Sequence, residues 1–164
     1  MNTTNYLTSL LLSVLLITMP AFAAKRDKQL TPMNKEDVTL QNIKSIFSAA
    51  LFKAEFDNDG YLAIEDNGLI TTIKLDKERK LITYIAKYSV KNGVSEFKKL
   101  QVANRLNNTT ILVRFYVQPS VIYFDHALLY DDNVTPYTIV NNYRLYAKVI
   151  MSVLSKPENN DIVE

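Results

Sequence analysis

Between Phe52 and Val90 apolar and polar side chains alternate, and this alternation constrains the fold more than any other feature of the chain. In Phe52-Lys53-Ala54-Glu55-Phe56-Asp57 every second residue is apolar, so an extended segment would have one covered face and one face in water. Asn58-Asp59-Gly60 supplies turn chemistry, because glycine takes a positive φ without steric cost. Tyr61 to Asp66 returns as a strand, and Asn67-Gly68 is a strong hairpin signal. Leu69, Thr71, Ile73 and Leu75 then share one face of a third strand. After a charged turn at 77–80, the segment 81–90 completes a meander of four strands.

Helical spacing brackets the meander. Thr39 caps a segment whose Leu40, Ile43, Ile46, Phe47 and Ala50 fall on one helical face. Beyond Asn92-Gly93, Ser95 caps a second helix with Phe97, Leu100, Ala103 and Leu106 as its apolar positions. Two apolar strands, 111–117 and 121–130, follow and are both expected in the middle of a sheet. Thr135 and Pro136 open a last helix with Ile139, Tyr143, Tyr146, Ala147, Ile150 and Leu154 along one stripe. The expected fold is α+β: an antiparallel sheet of about six strands packed with helices, in the order α-β-β-β-β-α-β-β-α.

The ends of the chain differ from this middle. No charged side chain precedes Lys25, and the apolar run Leu10 to Met19 is shorter than the ~20 residues a membrane span needs. Pro20 and the small-x-small triplet Ala21-Phe22-Ala23 close it, the layout of a signal peptide over 1–23 cut after Ala23. A periplasmic or secreted protein is therefore expected, without stable membrane insertion after cleavage. The lack of Lys or Arg before the apolar run leaves a retained membrane anchor as the other reading. Residues 24–38 read as a flexible linker, 39–155 as a single domain and 156–164 as a disordered tail.

Composition removes whole classes of chemistry. The formal net charge is +2, too balanced to argue for nucleic acid. There is no cysteine, which excludes thiol catalysis, thiolate metal sites and disulfides. His126 is the single histidine, so no site can use several imidazoles. No catalytic constellation and no cofactor are expected.

One motif suggests a metal. Glu55 to Asp66 places acids at positions 1, 3, 5 and 12 of a twelve-residue loop and Gly60 at position 6, much of the calcium-loop pattern. However, position 12 is an aspartate, position 9 is Ala63, and Asn67-Gly68 would stop the exiting helix that such loops require. The flanks favour strands, so a solvated acidic turn is the expected reading.

The chain also resembles a known family. The marks are the turn Asp57, Asp59 and Gly60; Asn104 and Asn107 at a helix end; Arg114 in one strand and Asp125 in the next; and Val134-Thr135 before the last helix. In these it resembles the YbjN-domain family, described as candidate bacterial sensory-transduction regulators. Asp132 and Asn133 stand where that family often has two glycines, and Arg105 and Leu106 where an aromatic residue is common between the asparagines. The resemblance implies a fold like the type III secretion chaperones and a role in protein binding rather than catalysis.

Two readings of function follow. The first is an exported, non-enzymatic protein-binding, chaperone-like or regulatory module of the bacterial envelope, engaging a protein or peptide, with self-association as a homodimer. The second is a small-ligand or ion-sensing domain. The candidate surface comprises Asn104, Asn107, Arg114, Asp125, Tyr143 and Tyr146. Arg114 and Asp125 can meet across a hairpin, as an ion pair or a ligand clamp. The asparagines suit helix termini, where left-handed geometry is tolerated. Tyr116, Tyr123, Tyr130, Tyr137, Tyr143 and Tyr146 crowd the last third, and tyrosine serves interfaces well.

Overall fold

Thr39 is extended (φ −124°), and its hydroxyl accepts a hydrogen bond from Asn42 N, opening helix α1 (Leu40–Ala49). This computed structural model describes residues 29–131, 133–159, 162 and 163. The helix stops through a bond from Phe52 N to Phe47 O, with Leu51 in the left-handed region at φ 68°. Strands β1 (Lys53–Phe56), β2 (Leu62–Asp66), β3 (Leu69–Asp76) and β4 (Leu81–Ser89) follow as the expected meander. Asn67 and Gly68 both take positive φ (49° and 83°), which is the geometry a two-residue hairpin loop needs.

Helix α2 (Glu96–Thr109) starts at Ser95, whose side chain accepts from Lys98 N. Strands β5 (Arg114–Gln118) and β6 (Val121–Leu129) form a hairpin, and α3 (Pro136–Leu154) begins at Thr135, whose hydroxyl accepts from Thr138 N. The six strands make one antiparallel sheet in the order β1-β2-β3-β4-β6-β5. The α+β class and the element order expected from the sequence are those observed. One placement differs: β6 is interior, but β5 is an edge strand. Its apolar character is explained by α2, which packs along it.

Helices α1 and α3 cover one face of the sheet. Leu62, Ile64, Ile73, Ile82, Ile122 and Phe124 point to that face and are fully buried. An aromatic cluster joins the layers: Tyr143 stands edge-on to Phe47 and Phe52, with ring centroids 5.2 Å away in each case. Burying such rings is the largest apolar gain in a core of this kind.

The segments at both ends of the domain are more integrated than the sequence suggested. Within the described part of 24–38, Met33 N donates to Val134 O (2.8 Å), Lys35–Asp37 forms a short 3-10 turn, and Val38 is buried. The described part of 156–164 also packs on the domain. Asn159 is buried, and its amide donates to Val153 O (2.7 Å) and accepts from Arg105. Ile162 is buried and Val163 bridges Val90. Apolar Ile162 and Val163 close over the end of β4, which a reading based on polar content overlooks. Among the described residues no helix is long and apolar enough to cross a membrane. The expected signal peptide lies outside them.

Candidate functional site

Asparagine and arginine from two neighbouring elements build the polar part of the site. Asn107, in the last turn of α2, faces the outer edge of β5. Its Nδ2 donates to Phe115 O (2.8 Å) and its Oδ1 accepts from Phe115 N (2.9 Å). The side-chain amide thus stands where another strand would pair. The Lys99 ammonium, nearly buried, donates to Pro119 O further along the same edge. The asparagines therefore do not terminate the helix in left-handed geometry as expected: α2 runs on to Thr109, and Thr110 beyond it is extended. Asn104 and Asn108 are exposed on the outer face of α2.

Arg114 and Asp125 are direct cross-strand partners. Arg114 Nε lies 2.9 Å from Asp125 Oδ1, and Nη2 bonds Oδ2, a two-pronged pair. The Asp125 side chain is nearly buried while that of Arg114 is largely exposed. Hydrogen bonding and charge from Asp125 raise the already high pKa of the guanidinium. Arg114 also lies over the Tyr116 ring, which stacks on Tyr123 with centroids 4.9 Å apart. These four side chains lie on the sheet face away from α1 and α3. His126, adjacent to Asp125, points the other way: its Nε2 meets Asn142 Oδ1 at 2.7 Å on the covered face. An acid–imidazole pair is therefore not formed.

A cleft of about 620 Å³ opens beside the ion pair, lined among others by Asp76, Arg79, Asn107, Arg114 and Asp125. It offers both charge signs. The acidic turn stands apart from it. There Asp57 Oδ1 accepts from Asp59 N (3.0 Å) and Tyr61 N (2.8 Å), so this carboxylate already serves the turn, between strands rather than helices. Among the described residues no three acids or histidines are grouped to hold a metal ion.

Tyr143 and Tyr146 correct the expected surface. Both are fully buried. Tyr146 Oη donates to Phe124 O (2.8 Å), whereas Tyr143 Oη meets only the equally buried hydroxyl of Thr71. Burial pushes the pKa of both phenols upward. Their helical spacing marked the stripe of α3 that faces the sheet, and an interface signal from tyrosine content was misplaced there.

Exposed apolar side chains occur singly on several elements, among them Leu51, Ile70 and Leu129, and α2 and the loop after it carry more. Phe97 is 77% exposed and Leu100 49%, and Ile111 is fully exposed. The sequence assigned Phe97 and Leu100 to the buried stripe together with Ala103 and Leu106. The helix instead buries Lys99, Val102, Ala103 and Leu106 and turns Phe97, Leu100 and Asn104 outward. Two apolar stripes coexist on this helix, and spacing alone does not say which one meets the sheet. The outer one lines a shallow groove of about 590 Å³ with Gln101, Asn104 and Asn108.

No family model and no curated protein matches the chain. Its structure is similar to that of YbjN from E. coli, a candidate transcription regulator, with a TM-score of 0.64 and 13% identity, covering 77% of this chain and 96% of that one. It is also similar to the Yersinia pestis type III secretion chaperone SycH in complex with a stable fragment of YscM2, with a TM-score of 0.47 and 15% identity, covering 69% and 98%. At such identities a likeness speaks to architecture alone, and the first one establishes a YbjN-like α+β fold for this chain.

Proposed function

We propose that the chain is an exported, non-enzymatic protein-binding module of the bacterial envelope, with a chaperone-like or regulatory role. The observation that carries this is the outward apolar ridge of Phe97 and Leu100 on α2, beside a shallow groove. Apolar surface grouped in this way, rimmed by Gln101, Asn104 and Asn108, is the composition of a protein interface. In the polar cleft Arg114 and Asp125 are bonded to each other, an arrangement suited to binding. The expected signal peptide over 1–23 supports export. Self-association as a homodimer belongs to the same proposal.

The ridge is tested by capture of partners from intact cells with Phe97→Asp as the control. Loss of a specific partner in that variant supports the reading, and unchanged capture contradicts it. A second reading rests on the cleft: a small ligand bearing both charge signs would fit between Arg79 and Asp76 and the Arg114–Asp125 pair. A metabolite that raises the melting temperature of the wild type but not of Arg79→Ala would favour it.

A further inference from the structure

The two edges of the sheet are treated differently. At the β5 edge α2 packs along the strand, Asn107 bonds both backbone groups of Phe115, and Lys99 bonds Pro119 O in the turn. At the other edge, Asp57 N donates to Tyr61 O (2.8 Å), and the antiparallel alternation then turns the backbone groups of Glu55 and Lys53 inward to Ala63 and Glu65. The N–H and C=O groups of Ala54 and Phe56 point outward. No side chain of the described residues bonds them.

The sequence of this open edge is its own complement. Phe52-Lys53-Ala54-Glu55-Phe56, laid antiparallel on a second copy with Ala54 facing Ala54, sets each Lys53 opposite a Glu55 and each Phe52 opposite a Phe56. The outward-facing groups of Ala54 are the ones this register pairs. The same register places both charged pairs on the open face of the sheet and both aromatic pairs on the helix side. Phe56 is 38% exposed there and Phe52 half-buried, so each has area left to bury. Natural edges are ordinarily protected by an unmatched charge, which a partner strand would have to bury or oppose. Here Lys53, which already pairs with Glu65 of its own chain, would also meet Glu55 of the second copy, so no charge on the edge is opposed.

We infer that two copies of the chain join through their β1 edges about a two-fold axis at Ala54, fusing two six-stranded sheets into one. The register gives the isologous contact a closed dimer requires, since each residue pair occurs twice. This gives the homodimer of the proposed function a definite surface. It leaves the α2 ridge free, so the two can fail separately.

The test is sedimentation equilibrium on the protein purified with its natural N-terminus. Glu55→Lys sets the new ammonium of one copy against Lys53 of the other, twice over. It creates no conflict within one chain, because the neighbour of Glu55 on β2 is Ala63. This substitution should raise the dimer dissociation constant by at least about tenfold, since two pairs change sign. The exchange Lys53→Glu with Glu55→Lys, made together with Glu65→Lys so that the pair Lys53 forms with Glu65 in its own chain is kept with reversed signs, should restore the wild-type value, with circular dichroism showing that each variant is folded. A monomeric wild type, a dimer that the exchange fails to restore, or a dimer broken by Phe97→Asp and indifferent to the β1 variants would overturn the inference.

Discussion

Asn107 and Phe115 exchange two hydrogen bonds, side-chain amide to backbone amide, and so close one edge of the sheet from within the chain. Replacing Asn107 by Ala removes both bonds and leaves the Phe115 groups to water or to another chain. Urea denaturation should show a loss of about 1–3 kcal/mol, with a greater tendency to aggregate. An unchanged midpoint would mean that packing of α2 alone holds the edge.

The Arg114–Asp125 pair is asymmetric, and the asymmetry predicts the ranking of two variants. Arg114→Ala leaves a nearly buried carboxylate without its partner, at a cost of about 1–3 kcal/mol. Asp125→Asn leaves an exposed guanidinium in water with an acceptor still in reach, and should cost less. The reverse order in chemical denaturation would contradict the assigned burial.

The buried tyrosines make different predictions at the same helix face. Tyr146→Phe loses the bond to Phe124 O and should destabilise by about 1 kcal/mol. Tyr143→Phe removes a hydroxyl that meets only the buried Thr71 hydroxyl, and should be close to neutral. Equal losses in the two variants would show that the Tyr143 hydroxyl is bonded.

Alkaline pH should unfold the protein through these phenols. Burial raises the pKa of Tyr84, Tyr143 and Tyr146 in the folded state. A raised folded value favours the protonated form, so the stability it gives is complete below the unfolded value of about 10 and falls as pH rises past it. Phenolate absorbance should therefore develop in two stages, exposed tyrosines first and the buried group together with loss of helix signal. Titration of all the phenols in one early step, with the fold intact, would contradict this.

Leu51 holds a left-handed conformation after α1 while its side chain is 94% exposed. Glycine takes this position at helix ends without strain, so Leu51→Gly should stabilise the protein by roughly 0.5–1 kcal/mol. A lower melting temperature would show that the exposed leucine makes an apolar contact worth keeping.

Local chemistry made most of the fold legible. Period-two alternation and Asn67-Gly68 marked the meander, and Thr39, Ser95 and Thr135 each cap the helix they were expected to cap. Arg114 and Asp125 were legible as a pair because one short hairpin connects their strands. What escaped depended on tertiary packing. Which stripe of α2 faces inward is decided by the β5 edge beneath it, and which tyrosines are exposed is decided by the sheet under α3. The bond between Asn107 and Phe115 needs an amide at one helical position over one strand residue, and spacing carries no trace of that.

The central claim, that the outward ridge of α2 receives another protein, is tested most directly by placing a photo-crosslinking residue at Phe97 in living cells. Irradiation should give a defined adduct with a different protein, and the same residue at Leu51, exposed but outside the ridge, should not. No protein adduct from Phe97 or Leu100 would contradict the account.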